Sequence, residues 1–179
     1  MARQFLETER LILRDWAETD FASFAAMNAS PVVMEFFPSV LTADETRSMM
    51  DRLQKEINEK GYGLWVAELK DTGAFTGFIG LHEATFVSDF TPCVEIGWRL
   101  LPEYWGRGLA TEGARACLDF GFRSGLKEIY SFTSIHNTRS EGVMKRIGME
   151  KVGEFDHPKV AEGNWLKRHV LYNLKLADC

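Results

Sequence analysis

The sequence predicts a mixed α/β fold built on a central, mostly antiparallel sheet. Three observations predict it. Short apolar runs of strand length alternate with segments of helical periodicity in the order β-α-α-β-β-β-α-β-α-β-β. Three strand runs follow one another with only turns between them, the pattern of an antiparallel meander. The last of these three feeds a glycine loop and then a helix, a junction of the kind that seats phosphate groups.

Residues 10–14 (Arg-Leu-Ile-Leu-Arg) form the first strand. Thr19 is placed to cap a helix running to about Asn28, and Pro31 marks the loop behind it. Thr42-Ala-Asp-Glu45 is a capping box, in which the first and last side chains satisfy each other's backbone N–H groups. It opens a second helix that runs through Lys60 to Gly61. Strands at 63–69, 75–84 and 94–101 follow, the first two joined by a turn at Asp71-Thr-Gly73. In the helix at 109–124, Ala110, Ala114, Leu118 and Phe122 recur every four residues, so one face packs on the sheet. Gly125 ends it. A strand at 128–135, a helix at 138–147 closed by Gly148, and strands at 149–155 and 166–176 complete the chain. No repeat or linker interrupts it, and 1–179 reads as a single domain.

The net charge of −5 and pI near 5.4 argue against a general nucleic-acid partner and mildly favour a cationic substrate. No apolar run approaches the ~20 residues of a membrane span. The opening Met-Ala-Arg-Gln-Phe lacks the apolar segment of a signal peptide. A cytoplasmic protein without a membrane partner is expected. Cys93, Cys117 and Cys179 are widely spaced and read as reduced thiols, with Cys117 a small core residue rather than a nucleophile. His82, His136, His157 and His169 show no metal-ligand spacing, so no metal is expected; His157 and His169 could titrate near neutral pH. Trp16, Trp65, Trp98 and Trp165 read as core or cleft-wall residues.

The stretch Trp105-Gly-Arg-Gly-Leu-Ala-Thr111 carries the chemistry. Gly106 and Gly108 let the backbone fold tightly and approach a ligand, and the helix that follows leaves its first N–H groups unpaired at a partly positive end. Arg107 adds a full charge. Together they suit a pyrophosphate. The nucleoside-triphosphate loop is excluded because Gly-Lys-Ser/Thr is missing. A nicotinamide-dinucleotide fingerprint is disfavoured because position 111 is Thr rather than Gly and too little chain follows for a doubly wound sheet.

The segment resembles the Gln/Arg-x-x-Gly-x-Gly/Ala loop of the GCN5-related N-acetyltransferases (GNAT superfamily), with Trp105 in the first position as in the branch of ribosomal-protein N-terminal acetyltransferases (RimJ/RimL-like). Residues 10–14 with Asp20, 94–98 (Val-Glu-Ile-Gly-Trp), 136–140 (His-Asn-Thr-Arg-Ser) with 145–149, 155–158 and 169–172 match further segments of that branch in order. The resemblance implies a mixed sheet with helices on both faces and an enzyme that moves an acetyl group from acetyl-coenzyme A to a primary amine by direct attack in a ternary complex. It implies that Trp105, Gly106, Arg107, Gly108, Leu109, Ala110 and Thr111 hold the pyrophosphate. Leu100 and Leu101 would offer backbone groups to the pantetheine arm, and Asn137 would contact that arm. Glu95 falls where some members carry a general base, and Ser140 where a proton donor to the thiolate sits. The residues alone also allow plainer roles: Glu95 paired with a neighbouring Arg, Asn137 and Ser140 as helix caps, Lys145 and Arg146 as a solvated helix face.

The acceptor stays open at this point, a protein N-terminus or a small molecule such as a polyamine or aminoglycoside. A non-catalytic acyl-coenzyme A sensor is the alternative from another class. Monomer and homodimer are both compatible with the sequence.

Overall fold

The computed structural model describes residues 2–176. The chain runs through β1 (Gln4–Glu7), β2 (Leu11–Arg14), α1 (Phe21–Ala29), α2 (Ala43–Lys60), β3 (Leu64–Leu69), β4 (Phe75–Ala84) and β5 (Cys93–Leu100). It continues through α3 (Leu109–Arg123), β6 (Glu128–Ser134), α4 (Thr138–Arg146), β7 (Glu150–Asp156) and β8 (Arg168–Lys175). Every element expected from the sequence is present. One is added: β1, four residues of which only the central pair is partly buried, too short for its alternation to stand out. It pairs antiparallel with β2 at the edge of the sheet.

Thr19 does not cap α1. It lies inside a single 3₁₀ turn, Glu18–Asp20; Asp20 takes the N-cap position of α1 without a side-chain hydrogen bond to the helix, and its buried carboxylate turns back to the preceding chain. It accepts the Ala17 N–H at 2.8 Å and both Arg14 Nη groups at 2.8 Å, tying the end of β2 to the start of α1. The Thr42–Glu45 capping box forms as expected, with Thr42 Oγ1 accepting the Glu45 N–H at 3.2 Å and Glu45 Oε2 accepting the Thr42 N–H at 2.8 Å.

The eight strands make one sheet in the order β1-β2-β3-β4-β5-β6-β8-β7. The meander β3-β4-β5 is antiparallel, in register at Trp65, Ile79 and Trp98. Phe78 and Ile79 are successive residues of β4 and face opposite sides. Phe24 of α1 meets the Phe78 ring edge-on at 6.1 Å, whereas Gly113 of α3 lies against Ile79. So α1 and α3 cover opposite faces of the sheet. The core on these faces includes the fully buried Leu11, Phe24, Trp65, Ile79, Leu81 and Ile96. Each such side chain contributes about 1.5–3 kcal/mol through removal from water.

The junction that positions the site is the pair β5–β6. It is parallel, unlike the other neighbours, and its register holds at a single pair, Glu95 with Tyr130. One step on, the Ser131 hydroxyl donates to the Ile96 carbonyl at 3.0 Å, a side chain standing in where the backbone ladder stops. Beyond it the two strands diverge, and their facing backbone groups are left to other partners.

Candidate active site

A cleft of about 1200 Å³ opens where β5 and β6 part. Its walls come from the α1–α2 loop, β5, the loop before α3, the α4 N-terminus and the start of β8. Of the residues singled out from the sequence, Glu95, Leu100, Trp105, Gly106, Gly108, Leu109, Ala110, Thr111, Asn137 and Ser140 line it; Leu101 and Arg107 do not.

The glycine loop is held from below and open from above. Gly106 and Gly108 have φ of +70° and +80°, the left-handed region in which a Cβ is strained. Gly108 is also the N-cap of α3. The amides of residues 106–111 have no acceptor among the described residues, and the first helical amide that is paired is that of Glu112, bonded to the Gly108 carbonyl at 3.0 Å. A run of free N–H groups at the positive end of a helix is an anion seat. The loop is fixed through its outer side. Trp105 Nε1 donates to the Leu100 carbonyl at 2.7 Å, and Arg10 Nη1 to the Arg107 carbonyl at 2.9 Å. Glu112 in the first turn of α3 accepts from Thr8 Oγ1 at 2.6 Å and Arg10 Nε at 2.7 Å. Burial works against the Glu112 anion, but these hydrogen bonds outweigh it and hold its pKa below the usual carboxylate range.

Leu101 is corrected by this geometry. Its N–H donates to the Thr76 carbonyl at 2.8 Å and its carbonyl accepts from Tyr104, so both backbone groups are taken. Alternation along β5 turns the Leu100 N–H toward β6 instead, past the point where the ladder ends. Arg107 is exposed, with its guanidinium 5.6 Å from the Tyr104 ring centre and outside the cleft wall. Arg146 lines the wall and its Nε donates to Thr111 Oγ1 at 3.3 Å, next to the free amides; Lys145 pairs with Glu141. The two were equivalent in the sequence and only the structure separates them.

Asn137 and Ser140 form the helix cap that their spacing allows, and they do so while lining the cleft. Asn137 Oδ1 accepts the Ser140 N–H at 3.2 Å, and its Nδ2 donates to Thr133 Oγ1 at 3.0 Å and Ser140 Oγ at 3.2 Å. Ser140 Oγ is an acceptor there, which leaves its own proton available.

Glu95 does not pair with an Arg. Its partner is His82, directly opposite on β4, with Nε2 and Oε2 3.0 Å apart. Burial disfavours the His82 cation, yet the charge and hydrogen bond of Glu95 outweigh burial and raise the imidazole pKa above its ordinary value. His82 carried no signal in the sequence; only the antiparallel register of β4 and β5 brings it to Glu95. His157 and His169, expected near neutrality, are both lowered. Burial and the neighbouring His169 push His157 to about 4, and burial lowers His169. Both are neutral rings beside Phe132 and Phe155.

The Cys93 and Cys117 thiols are held in their protonated form. Cys117 is fully buried in α3 and burial drives its pKa far up; burial, with Glu95 and Glu128 nearby, pushes Cys93 to about 12. Cys179 lies outside the described residues. No group of three or more metal-ligating side chains occurs among the described residues, and no helix is long and apolar enough to cross a membrane. Trp16 and Trp65 are core residues, whereas Trp165 is 55% exposed and leans on Phe36 at the cleft lip.

The chain as a whole has relatives among known proteins. A profile described as Acetyltransferase (GNAT) domain matches residues 10–150. The chain belongs to the GNAT family. Among GNAT relatives it is 35% identical over 152 residues to the uncharacterized protein YkkB of Bacillus subtilis, covering 83% of this chain and 86% of that one. A GNAT-family acetyltransferase structure from Bacillus anthracis superposes with a TM-score of 0.79 at 26% identity, covering 96% of this chain and 98% of the other. Mycobacterium smegmatis RimJ, solved in complex with CoA-disulfide, shares the GNAT fold at a TM-score of 0.75 and 18% identity, covering 97% and 86%. The GNAT assignment makes the protein an acetyl-CoA-dependent acyltransferase. It also removes the dinucleotide oxidoreductase reading.

Proposed function

We propose that this GNAT protein transfers the acetyl group directly from acetyl-CoA to a primary amine bound on the α1–α2 side of the cleft. The observation that carries this reading is that Gly106 and residues 108–111, whose amides have no acceptor among the described residues, line the same cleft as Glu95.

The loop amides fit a pyrophosphate by number and by their place at the α3 N-terminus, with Arg146 alongside as counter-charge. The Leu100 N–H and Asn137 flank the path from that seat to Glu95. Acetyl-CoA supplies the activated acetyl group. The amine nitrogen bonds to the acetyl carbon as the carbon–sulfur bond breaks, so one proton must leave the nitrogen and the sulfur must gain one. Glu95 takes the first, held in place by His82 Nε2 at 3.0 Å. The Ser140 hydroxyl, held by Asn137 Nδ2, is placed to supply the second and to be reprotonated from solvent. Neither Cys93 nor Cys117 takes part, because neither forms a thiolate near neutral pH. All described strands share one sheet, which supports reading residues 1–179 as one domain.

Two measurements test the reading. Calorimetric titration with coenzyme A should show binding, and an amine panel incubated with acetyl-CoA should show products heavier by one acetyl group. Coenzyme A binding without turnover of any amine would favour the sensor; no binding would remove the loop from the site.

A further inference from the structure

Arg99 is a buried cation with no carboxylate partner among the described residues. It lies on β5 at the cleft wall and is 9% exposed. Its guanidinium carbon is 4.1 Å from the centre of the Phe37 ring and 5.1 Å from that of Phe78. Its hydrogen bond to the described residues is from Nη1 to Asn28 Oδ1, 2.6 Å long, and its Nε is buried without an acceptor. No carboxylate among the described residues pairs with it. Burial pushes its pKa down to about 10, so it still carries its charge near neutral pH. A buried charge with one neutral partner is costly unless something else completes its hydrogen bonding. Asn28 occupies one side of the guanidinium. The edge left over, Nε with Nη2, is the fork that takes a carboxylate in two parallel bonds.

The surroundings point to the same ligand. Glu95 and Arg99 share one face of β5, four residues and about 13 Å apart along the strand. Both line the cleft, and Glu95 is the only carboxylate among its lining residues, against Arg52, Arg99, Arg139, Arg146 and Lys159. Of these cations Arg139 is neutralised by Glu35 at 2.8 Å. The overall charge of −5 therefore does not describe the cleft, and the cationic substrate it suggested meets a cationic wall. A diamine would set its second ammonium against Arg99 without a counter-ion.

We propose that the acceptor is a small amine bearing a carboxylate, its amine directed to Glu95 and its carboxylate held by the Nε–Nη2 edge of Arg99. The proposal rests on the transferase reading above and names the substrate class of that same site. The spacing of the two residues favours a carboxylate several bonds from the amine over that of an α-amino acid.

The test compares matched acceptors on the intact protein at saturating acetyl-CoA: glycine, β-alanine, γ-aminobutyrate and ε-aminocaproate, each beside its primary amide, with putrescine as the diamine. The expected result is a kcat/KM for the best acid at least about tenfold above that of its amide, because the amide offers one neutral carbonyl acceptor and leaves the guanidinium charge without a counter-ion. Arg99→Met should raise KM for the acids with little change in kcat and bring the acid-to-amide ratio to about one. Arg99→Lys should keep part of the preference. If Arg99→Met fails to fold, as its melting curve would show, the acid-to-amide ratio of the unmodified protein and of Arg99→Lys decides. Equal use of acids and amides, preference for putrescine, no acetylation of any acid, or an unchanged ratio in a folded Arg99→Met variant overturns the proposal. Coenzyme A titration on the same preparation keeps the two failures apart. Absent binding strikes the transferase reading, whereas binding with acetylation confined to amines lacking a carboxylate strikes the Arg99 assignment alone.

Discussion

The two halves of the cleft are built by different means. The half at residues 106–111 offers backbone: six consecutive amides with no acceptor among the described residues, held in place by Arg10, Thr8 and Glu112 acting from behind. The half around Glu95 offers side chains that come from separate elements, His82 from β4, Glu95 and Arg99 from β5, Asn28 from α1 and Phe37 from the loop after it. A backbone seat accepts any ligand of the right shape and charge, and its parts are consecutive in the chain. A side-chain seat is selective, and its parts meet only when the sheet and the helix layer are assembled.

That difference can be broken most directly at Glu95. If Glu95 is the base, Glu95→Gln should lower kcat by ~10²–10⁴-fold, the usual range for a lost proton transfer, while coenzyme A affinity barely changes. The rate should still rise with pH in the variant as the acceptor amine loses its proton. A melting temperature and a turnover number from one preparation decide it. A stability loss with turnover within about threefold would leave Glu95 as a structural partner of His82 and shift the base role to water.

The backbone half should respond in the opposite way. Gly108→Val forces a branched side chain into φ of +80° and disturbs the N-cap of α3. Coenzyme A should bind at least ~tenfold more weakly, or about 1.4 kcal/mol, by calorimetry. Unchanged affinity in a folded variant would erase the contrast between the halves.

A smaller effect concerns pH. The folded pKa of His82 lies above its unfolded value, so the stability its pairing with Glu95 contributes is full below the unfolded pKa and is lost as pH rises through the folded one. His157 and His169 act in the opposite sense. Both are lowered, so they cost stability as pH falls from about 6.5 towards their folded values, about 4 for His157. The melting temperature of His82→Gln should therefore approach that of the unmodified protein as pH is raised from about 6 to 9. A constant gap across that range would refute the linkage.

The smallest effect is expected at Cys117. Cys117→Ala should cost some stability through a small cavity under α3 and leave turnover per folded molecule within about threefold. Finding an acetyl group trapped on Cys117 without acceptor, then passed on when amine is added, would defeat direct transfer.

Much of the fold was legible because its cues are local. The capping box at Thr42–Glu45 and the meander appear where their patterns place them; of the four-residue repeat in α3, Ala114 and Leu118 are buried and Ala110 and Phe122 half-buried, while the row Leu109, Gly113, Cys117 and Gly121 is buried throughout. The errors fall where a distant group decides. Thr19 falls inside a 3₁₀ turn, and the N-cap position of α1 passes to Asp20, whose carboxylate is engaged by Arg14 of β2 and makes no bond to the helix. The Leu101 amide was taken by β4, and the two late histidines were driven neutral by burial that no sequence pattern displays.

By itself the amino-acid sequence determined the element order, the phosphate-type loop and the family resemblance, since each depends on residues a few positions apart and on backbone freedom at Gly106 and Gly108. Tertiary structure alone decided that Glu95 faces His82, that Arg146 rather than Lys145 turns to the loop, and that Arg99 is buried without a counter-ion. Those outcomes depend on strand register, on helix placement and on desolvation, which arise only when segments far apart in the chain exclude water together.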